Sequence, residues 1–354
     1  MSDDIPYILR VLKYASPEKF MTCARACARE SGKHTAAIVA DMLVCARLYG
    51  AGYNDYQLFR FWDLTADERE SHMTRLRNQA FVDRMNDLRA RREIFGRKTH
   101  FYQRFDSYLG RAWLKLANAS ADDLLEFVSE RGVVVAKPDV GLGGHGIEIV
   151  RLEDFDTHAA FVDYLRSESK GFGVIEELLV QHAALSCVYP AAVNTIRMTT
   201  IVAEDGPKLL YALMKFGAHG AEVDNVGSGG YACHVDCTTG AIMGPGHACA
   251  PDDSAEEGFS DAATVLADAH PQTGVVFRDF VIPCFCEARE LVLRAANECP
   301  EVAYVGWDVA VTPKGPVVIE GNPLPGYDLP QLPDKYWPRR GLVGMLRDAG
   351  IDLA

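Results

Sequence analysis

Asp308, Glu320 and Asn322 are oxygen-bearing side chains on two short apolar runs joined by a tight turn, over residues 305–322. Glu320 and Asn322 are two residues apart, so an extended chain turns both to one face. Hard oxygen donors gathered in this way suit Mg²⁺, which shares its coordination with substrate phosphates. A solvent-facing hairpin has the same composition, so the reading depends on what the rest of the chain supplies.

The upstream sequence supplies cations and glycine loops. Residues 133–150 read as strand, glycine loop and strand, with Lys137 in the first strand and Gly143, Gly144 and Gly146 in the loop. Glycines let backbone N–H groups approach an anion with no Cβ in the way. The loop lacks Gly-Lys-Ser/Thr and returns as a strand, which excludes a Walker loop and a dinucleotide-binding loop. What remains is a flap over phosphates or a plain hairpin turn with a surface lysine. Arg197 falls within a predicted strand, 195–203, where a charge is costly unless it meets a pocket or a partner. A guanidinium there suits a bidentate hold on phosphate or carboxylate, or a core ion pair. Lys215 follows on the next strand, 208–216. Glu176, Glu177 and Leu179 close an apolar run whose backbone could meet an adenine edge, as could any edge strand. Asn194, just before the strand arginine, is a candidate substrate contact, and Asp224, Asn225, Gly229 and Gly230 form a polar loop able to wrap a ligand or simply to connect strands.

These residues need elements to carry them. The 354-residue chain is long enough for two or three cores. Residues 1–95 read helical, with Ser16 capping a helix that opens at Pro17, a second helix over 35–49 placing Ile38, Met42, Cys45 and Leu48 near one face, and a third from Thr65. From residue 133 the pattern changes to short β-branched runs at 133–137, 147–150, 174–179, 195–203, 208–216, 305–311 and 317–320. Helices intervene at 121–131, 155–167 and 283–299. Irregular alternation with several hairpins indicates α+β rather than a doubly wound sheet. The net charge of −13 argues against a nucleic-acid partner. Residues 60–115 are locally basic, with thirteen Arg and Lys against eight Asp and Glu. With neither a bilayer-length apolar run nor a signal peptide, the ten cysteines read as reduced thiols in the cytosol, away from any membrane. Cys233, His234, Cys237, His247 and Cys249 match no common zinc spacing and read as small buried groups.

Taken in order, the Lys-Pro strand with its glycine flap, the Glu-Glu-Leu-Leu run, the strand arginine and the final Asp…Glu-x-Asn set resemble an ATP-grasp enzyme. Leu48-Tyr-Gly…Asp55-Tyr-Gln-Leu-Phe, Asn194-Thr-Ile-Arg, Val223-Asp-Asn…Gly-Gly, His270-Pro-Gln-Thr-Gly, Ile282-Pro, Gly306-Trp-Asp-Val-Ala and Ile319-Glu-Gly-Asn resemble, more narrowly, the sugar-transfer-associated ATP-grasp family. The resemblance runs from about residue 40 to 325. It implies an ATP-grasp fold of two α+β lobes, 96–185 with the flap and 186–354 with the metal site, after a helical domain, 1–95. It further implies Lys98 and Lys137 on ATP phosphates, Glu176, Glu177 and Leu179 on the adenine and ribose side, and Asp308, Glu320 and Asn322 on two Mg²⁺ ions. The family's ribose carboxylate has no counterpart in Gln181-His-Ala-Ala-Leu-Ser, and the helical start replaces its usual α/β domain. The implied activity is a carboxylate–amine ligase acting through an acyl phosphate on small molecules, with Arg197 and Lys215 catalytic. A kinase on the same site and a non-catalytic nucleotide-binding regulator stay open.

Overall fold

The computed structural model describes residues 16–141, 145–249, 264–336 and 339–353. The chain divides into two compact units, Met1–Phe81 with Tyr327–Asp348 and Asp352–Ala354, and Val82–Gly326 with Ala349–Ile351.

The first unit is helical. α1 (Pro17–Ser31) opens as expected, with Ser16 Oγ accepting the Lys19 N–H at 3.3 Å. α2 (Thr35–Tyr49) stops at Gly50, which takes the left-handed φ of 64° that a helix C-terminus favours. Ile38, Met42 and Cys45 are buried, but Leu48 is 61% exposed. At 100° per residue, position 48 lies about 80° away from Ile38 around the helix, outside the buried stripe. α3 (Tyr53–Leu58) and α4 (Ala66–Ser71) complete a core containing Tyr56, Phe59, Phe61 and Trp62. Asp41 joins two of its polar side chains. Arg69 forks onto Asp41 at 2.9 and 2.8 Å, and the Tyr56 hydroxyl donates to the same carboxylate at 2.7 Å. The C-terminal segment belongs here, because Gln331 bonds both backbone groups of Met73 and the Tyr327 hydroxyl donates to Asp55.

That placement corrects the expected boundaries. The division falls at Phe81/Val82 rather than at residue 95, and residues 327–348 join the helical unit instead of the last lobe. The reason is packing. α5 (Arg75–Met85) spans the division, whereas the next helix, α6 (Leu88–Phe95), sends Ile94 and Phe95 against the core of the second unit.

The second unit has two α+β lobes. In the first, β1 (Trp113–Lys115), β2 (Val133–Pro138), β3 (Glu148–Arg151) and β4 (Phe172–Glu177) form an antiparallel sheet ordered β1-β4-β2-β3. Val134, Ala136 and Ile175 face a core shared with the helices Ala121–Ser129 and His158–Leu165. Alternation therefore turns Val135, Lys137 and Glu176 to the opposite face. The second lobe is a seven-stranded antiparallel sheet: β5 (Thr195–Ala203), β6 (Gly206–Phe216), β7 (Tyr231–Val235), β8 (Ile242–Cys249), β9 (Thr264–Ala267), β10 (Tyr304–Thr312) and β11 (Gly315–Asn322). Their order is β11-β10-β5-β6-β7-β8-β9, and the helix Phe285–Glu298 covers one face with Ala288, Leu291, Val292 and Ala295. β1 and β7 to β9 were not expected from the sequence.

One irregularity positions the chemistry. Asp308 pairs with Glu320 and Val309 with Val318, which leaves Ile319 as a β-bulge. Val309 and Val318 both face the core. Without the extra residue, strict alternation from Val318 would send Glu320 inward too; the bulge returns Glu320 and Asn322 to the face of Asp308. Gly321, between them, then points into the core, where an added Cβ would lie 2.6 Å from the Phe95 ring and 2.9 Å from that of Phe101. Gly321→Val should therefore cost about 1–3 kcal/mol of overpacking, read as a lower urea midpoint; an unchanged midpoint would contradict this packing.

Candidate active site

Two carboxylates in the second unit are each gripped by two cations. On the larger sheet, Arg197 of β5 lies directly opposite Asp308 of β10. Its Nε and Nη2 donate to the two Asp308 oxygens at 2.7 and 2.9 Å. Lys215 of β6 adds its Nζ at 3.2 Å from Asp308 Oδ2. Burial would push the Asp308 carboxyl up, but Arg197 and Lys215 outweigh it and hold the group far below the usual carboxylate range. Arg197 correspondingly stays charged despite its burial, because Asp308 faces it.

On the smaller sheet, Glu176 is the gripped carboxylate. Lys137 Nζ lies 2.7 Å and Arg111 Nη2 3.0 Å from its oxygens, and the Tyr102 hydroxyl donates to it. Burial opposes ionisation of Glu176, yet Lys137 and Arg111 keep it charged and lowered. Arg111 also donates to the carbonyl of Val318 at 2.9 Å, tying this cluster to the bulged strand of the other lobe. Sequence reasoning missed both Tyr102 and Arg111. The available signals were an aromatic one helical turn after Lys98 and an arginine set among apolar residues after Gly110.

Glu320 is different. It is open to solvent at the sheet edge, yet crowded by protein; that enclosure and then the neighbouring Asp308 charge raise its carboxyl above the ordinary value. Lys215, Arg197 and, from the other lobe, Lys137 all act on it without cancelling the rise. A carboxylate short of positive charge, beside Asp308 and with Asn322 two residues on, is an oxygen donor set that fits Mg²⁺. Asn322 already accepts the Leu324 N–H at 2.9 Å through an oxygen that retains a second lone pair. Lys98 belongs to the same cleft. Burial lowers its amine, Glu320 opposes that shift and Lys137 adds to it, while its Nζ donates to the Gly141 carbonyl at 3.0 Å.

The remaining expected residues divide. Gly143 and Gly144 lie outside the described residues. Gly146 adopts φ 71° and packs where a Cβ would meet Pro138 at 2.9 Å, closing the base of the glycine hairpin. Glu177 ends β4, and Leu179 follows that strand half-buried rather than within it. Glu176, expected on the adenine and ribose side, is instead 3% exposed and committed to Lys137 and Arg111. Asn194, expected to touch substrate, is fully enclosed. Its amide donates to Gln181 and the Tyr189 carbonyl, and its oxygen accepts the Gly217 N–H. Gln181, in the segment without an acid, is buried in this same network. Asn225 and Gly229 shape the loop, through an Asn225 Oδ1 bond to the Gly227 N–H and a Gly229 φ of 89°. Gly230 fits between backbone carbonyls that a Cβ would approach to 2.7–3.0 Å. His234 and His247 are buried on β7 and β8, with ring centroids 5.1 Å apart.

A profile of the sugar-transfer associated ATP-grasp family matches residues 100–347. The chain belongs to that family. Its two lobes are those of the ATP-grasp fold, preceded by a helical region. Comparison with curated proteins found no match. Among solved structures, the ATP-grasp ligase PsnB complexed with minimal precursor is similar at 16% identity over 75% of this chain and 62% of that one, with a TM-score of 0.39. D-alanyl-alanine synthetase A from Vibrio cholerae is similar at 14% identity over 74% and 62%, TM-score 0.39. The N5-carboxyaminoimidazole ribonucleotide synthetase purK follows at 12% over 71% and 50%, TM-score 0.41. The family member described here thus spans about three-fifths of the PsnB chain it matches.

Removing Glu176 strands two buried cations. Glu176→Ala should cost about 3–5 kcal/mol, measured by urea unfolding; a loss under about 1 kcal/mol would exclude a paired, buried network. Glu320 gives a pH signature. Its folded value is raised, so the folded chain retains a proton that the unfolded chain releases as pH climbs past about 4.3. Wild type without divalent cations therefore loses stability across that rise, and Glu320→Gln escapes the loss. The variant should match wild type near about pH 4 and exceed it near about pH 7.5; a constant difference at both would show that Glu320 is not the titrating group.

Proposed function

We propose that this protein is an ATP-dependent carboxylate–amine ligase that forms ADP and phosphate by way of an acyl phosphate. The observation that carries the reading is the convergence of charge on Glu320: Asp308, Arg197 and Lys215 from its own lobe, and Lys137 from the other, all act on this one carboxylate. Family membership is the second support.

In this reading Asp308, Glu320 and Asn322 would hold Mg²⁺, which would supply positive charge to neutralise the phosphates. Lys98 and Lys137 hold the phosphates from the side of the glycine hairpin. Glu176, Tyr102 and Arg111 fix the direction of Lys137, since the first two lie within 3.2 Å of its nitrogen and Arg111 shares the same carboxylate. Arg197 and Lys215 face the transferring phosphoryl group, drawn from Asp308 by the higher charge of the phosphates. The γ-phosphoryl group passes to a substrate carboxylate and ADP leaves. An amine then attacks the acyl carbon and releases phosphate, with Arg197 placed to stabilise the oxyanion, a contribution of about 3–4 kcal/mol in comparable sites. A polysaccharide-linked or other small metabolite is the substrate class, and Mg²⁺ and ATP are the required partners.

Phosphate release from ATP, screened against panels of amino acids and sugar acids, tests the reading. One combination should give ADP, phosphate and an amide. Glu320→Ala should lower the rate by on the order of 100-fold or more. Formation of AMP and pyrophosphate, or of a stable phosphoester without free phosphate, would rule out the ligase chemistry.

A further inference from the structure

The loop joining β6 to β7, residues 217–230, carries a carboxylate that the chemistry above leaves without a part. Asp224 has only 14% of its side chain exposed. Its Oδ2 accepts two hydrogen bonds from Thr195, one from the backbone N–H at 2.8 Å and one from the hydroxyl. Its Oδ1 lies 3.6 Å from Lys215 Nζ. Lys215 is therefore held between two carboxylates, Asp224 from the loop and Asp308 from β10.

Those two carboxylates cannot serve the lysine equally during turnover. In the ligase reading Asp308 turns to the cation, and its hold on Lys215 weakens as its charge is shared. Asp224 belongs to no cation donor set, and Thr195 fixes one of its oxygens. The loop itself is anchored. The Asn194 oxygen accepts the Gly217 N–H at 3.1 Å, and the Tyr189 hydroxyl donates to the Ala221 carbonyl at 2.7 Å. At its far end the Gly230 N–H bonds the Asn225 carbonyl at 3.2 Å. An ammonium on a flexible four-carbon stem needs such a fixed counter-charge to keep one direction.

We propose that Asp224 is a positioning residue, which keeps Lys215 directed at the transferring phosphoryl group while Asp308 is engaged by the cation. This inference rests on the ligase reading. It assigns Asp224 an action through Lys215 and not through substrate.

Asp224→Asn, Lys215→Met and the double variant test it in the full chain. Asparagine keeps an oxygen acceptor for Thr195 and removes only the charge. The measurement is ADP formation from Mg²⁺ and ATP in the presence of the amino-acid and sugar-acid panel. Asp224→Asn should lower kcat roughly 10- to 100-fold, with KM for ATP within about threefold of wild type. Lys215→Met should lose at least as much, and adding Asp224→Asn to it should change little further. Multiplying losses in the double variant, or a raised acceptor KM at unchanged kcat, would overturn the proposal and make Asp224 an independent or substrate-contacting residue. If wild type forms no ADP, the ligase reading falls, and the phosphoryl part of the proposal with it. The Asp224–Lys215 coupling is then read from the unfolding midpoints of the same proteins, where additive shifts overturn it.

Discussion

Asp308 stays ionised inside a sheet only because Arg197 and Lys215 hold it from two directions. Desolvating a carboxylate costs several kcal/mol, and a cation at about 4 Å returns about 4 kcal/mol in a protein-like dielectric. One partner leaves the balance close to even, and two settle it. The first lobe repeats the solution with Glu176 between Lys137 and Arg111. Glu320 is the exception, since burial and the Asp308 charge keep its carboxyl raised although the cations Lys215, Arg197 and Lys137 all act on it. The charge still wanted is positive and sits among oxygen donors, which is why a divalent cation with phosphates suits the cleft.

Geometry makes that balance possible. Arg197, Asp308 and Glu320 occupy one row across three neighbouring strands, β5, β10 and β11. The row holds only because Ile319 bulges and restores Glu320 and Asn322 to the proper face. Beneath it, Trp307 packs against Phe95, Phe101 and Phe105 and donates its indole N–H to Thr200 at 2.9 Å. The strand that carries Asp308 is thus fixed by aromatic packing on one face while its other face carries charge. Arg111 links the two charge clusters through the Val318 carbonyl.

Much of this was legible in the sequence, and what was missed has physical causes. Short apolar runs located β5, β6, β10 and β11 closely, rich in Val, Ile and Thr in β5, β10 and β11 and in Leu, Met and aromatics in β6. It also paired Glu320 with Asn322. The bulge that sets both beside Asp308 leaves no mark in composition. β7 and β8 escaped because Tyr231–Val235 and Ile242–Cys249 mix glycine, histidine and cysteine and are buried on both faces, which erases alternation. Asn194 and Glu176 looked like ligand contacts because polar residues near a strand end resemble a binding edge; only the fold reveals that they are enclosed. Arg111 lies outside every motif, Tyr102 was given no role beside Lys98, and the Glu176 they share is distant in sequence.

The most direct measurement is calorimetric titration of a non-hydrolysable ATP analogue into the protein with and without Mg²⁺. If Asp308, Glu320 and Asn322 form a cation site beside the phosphates, Mg²⁺ should tighten binding by about tenfold or more, at least about 1.4 kcal/mol, and Glu320→Ala should erase that gain. Equal affinity with and without the ion in wild type, or a gain that survives Glu320→Ala, would contradict a cation-bound nucleotide in this cleft.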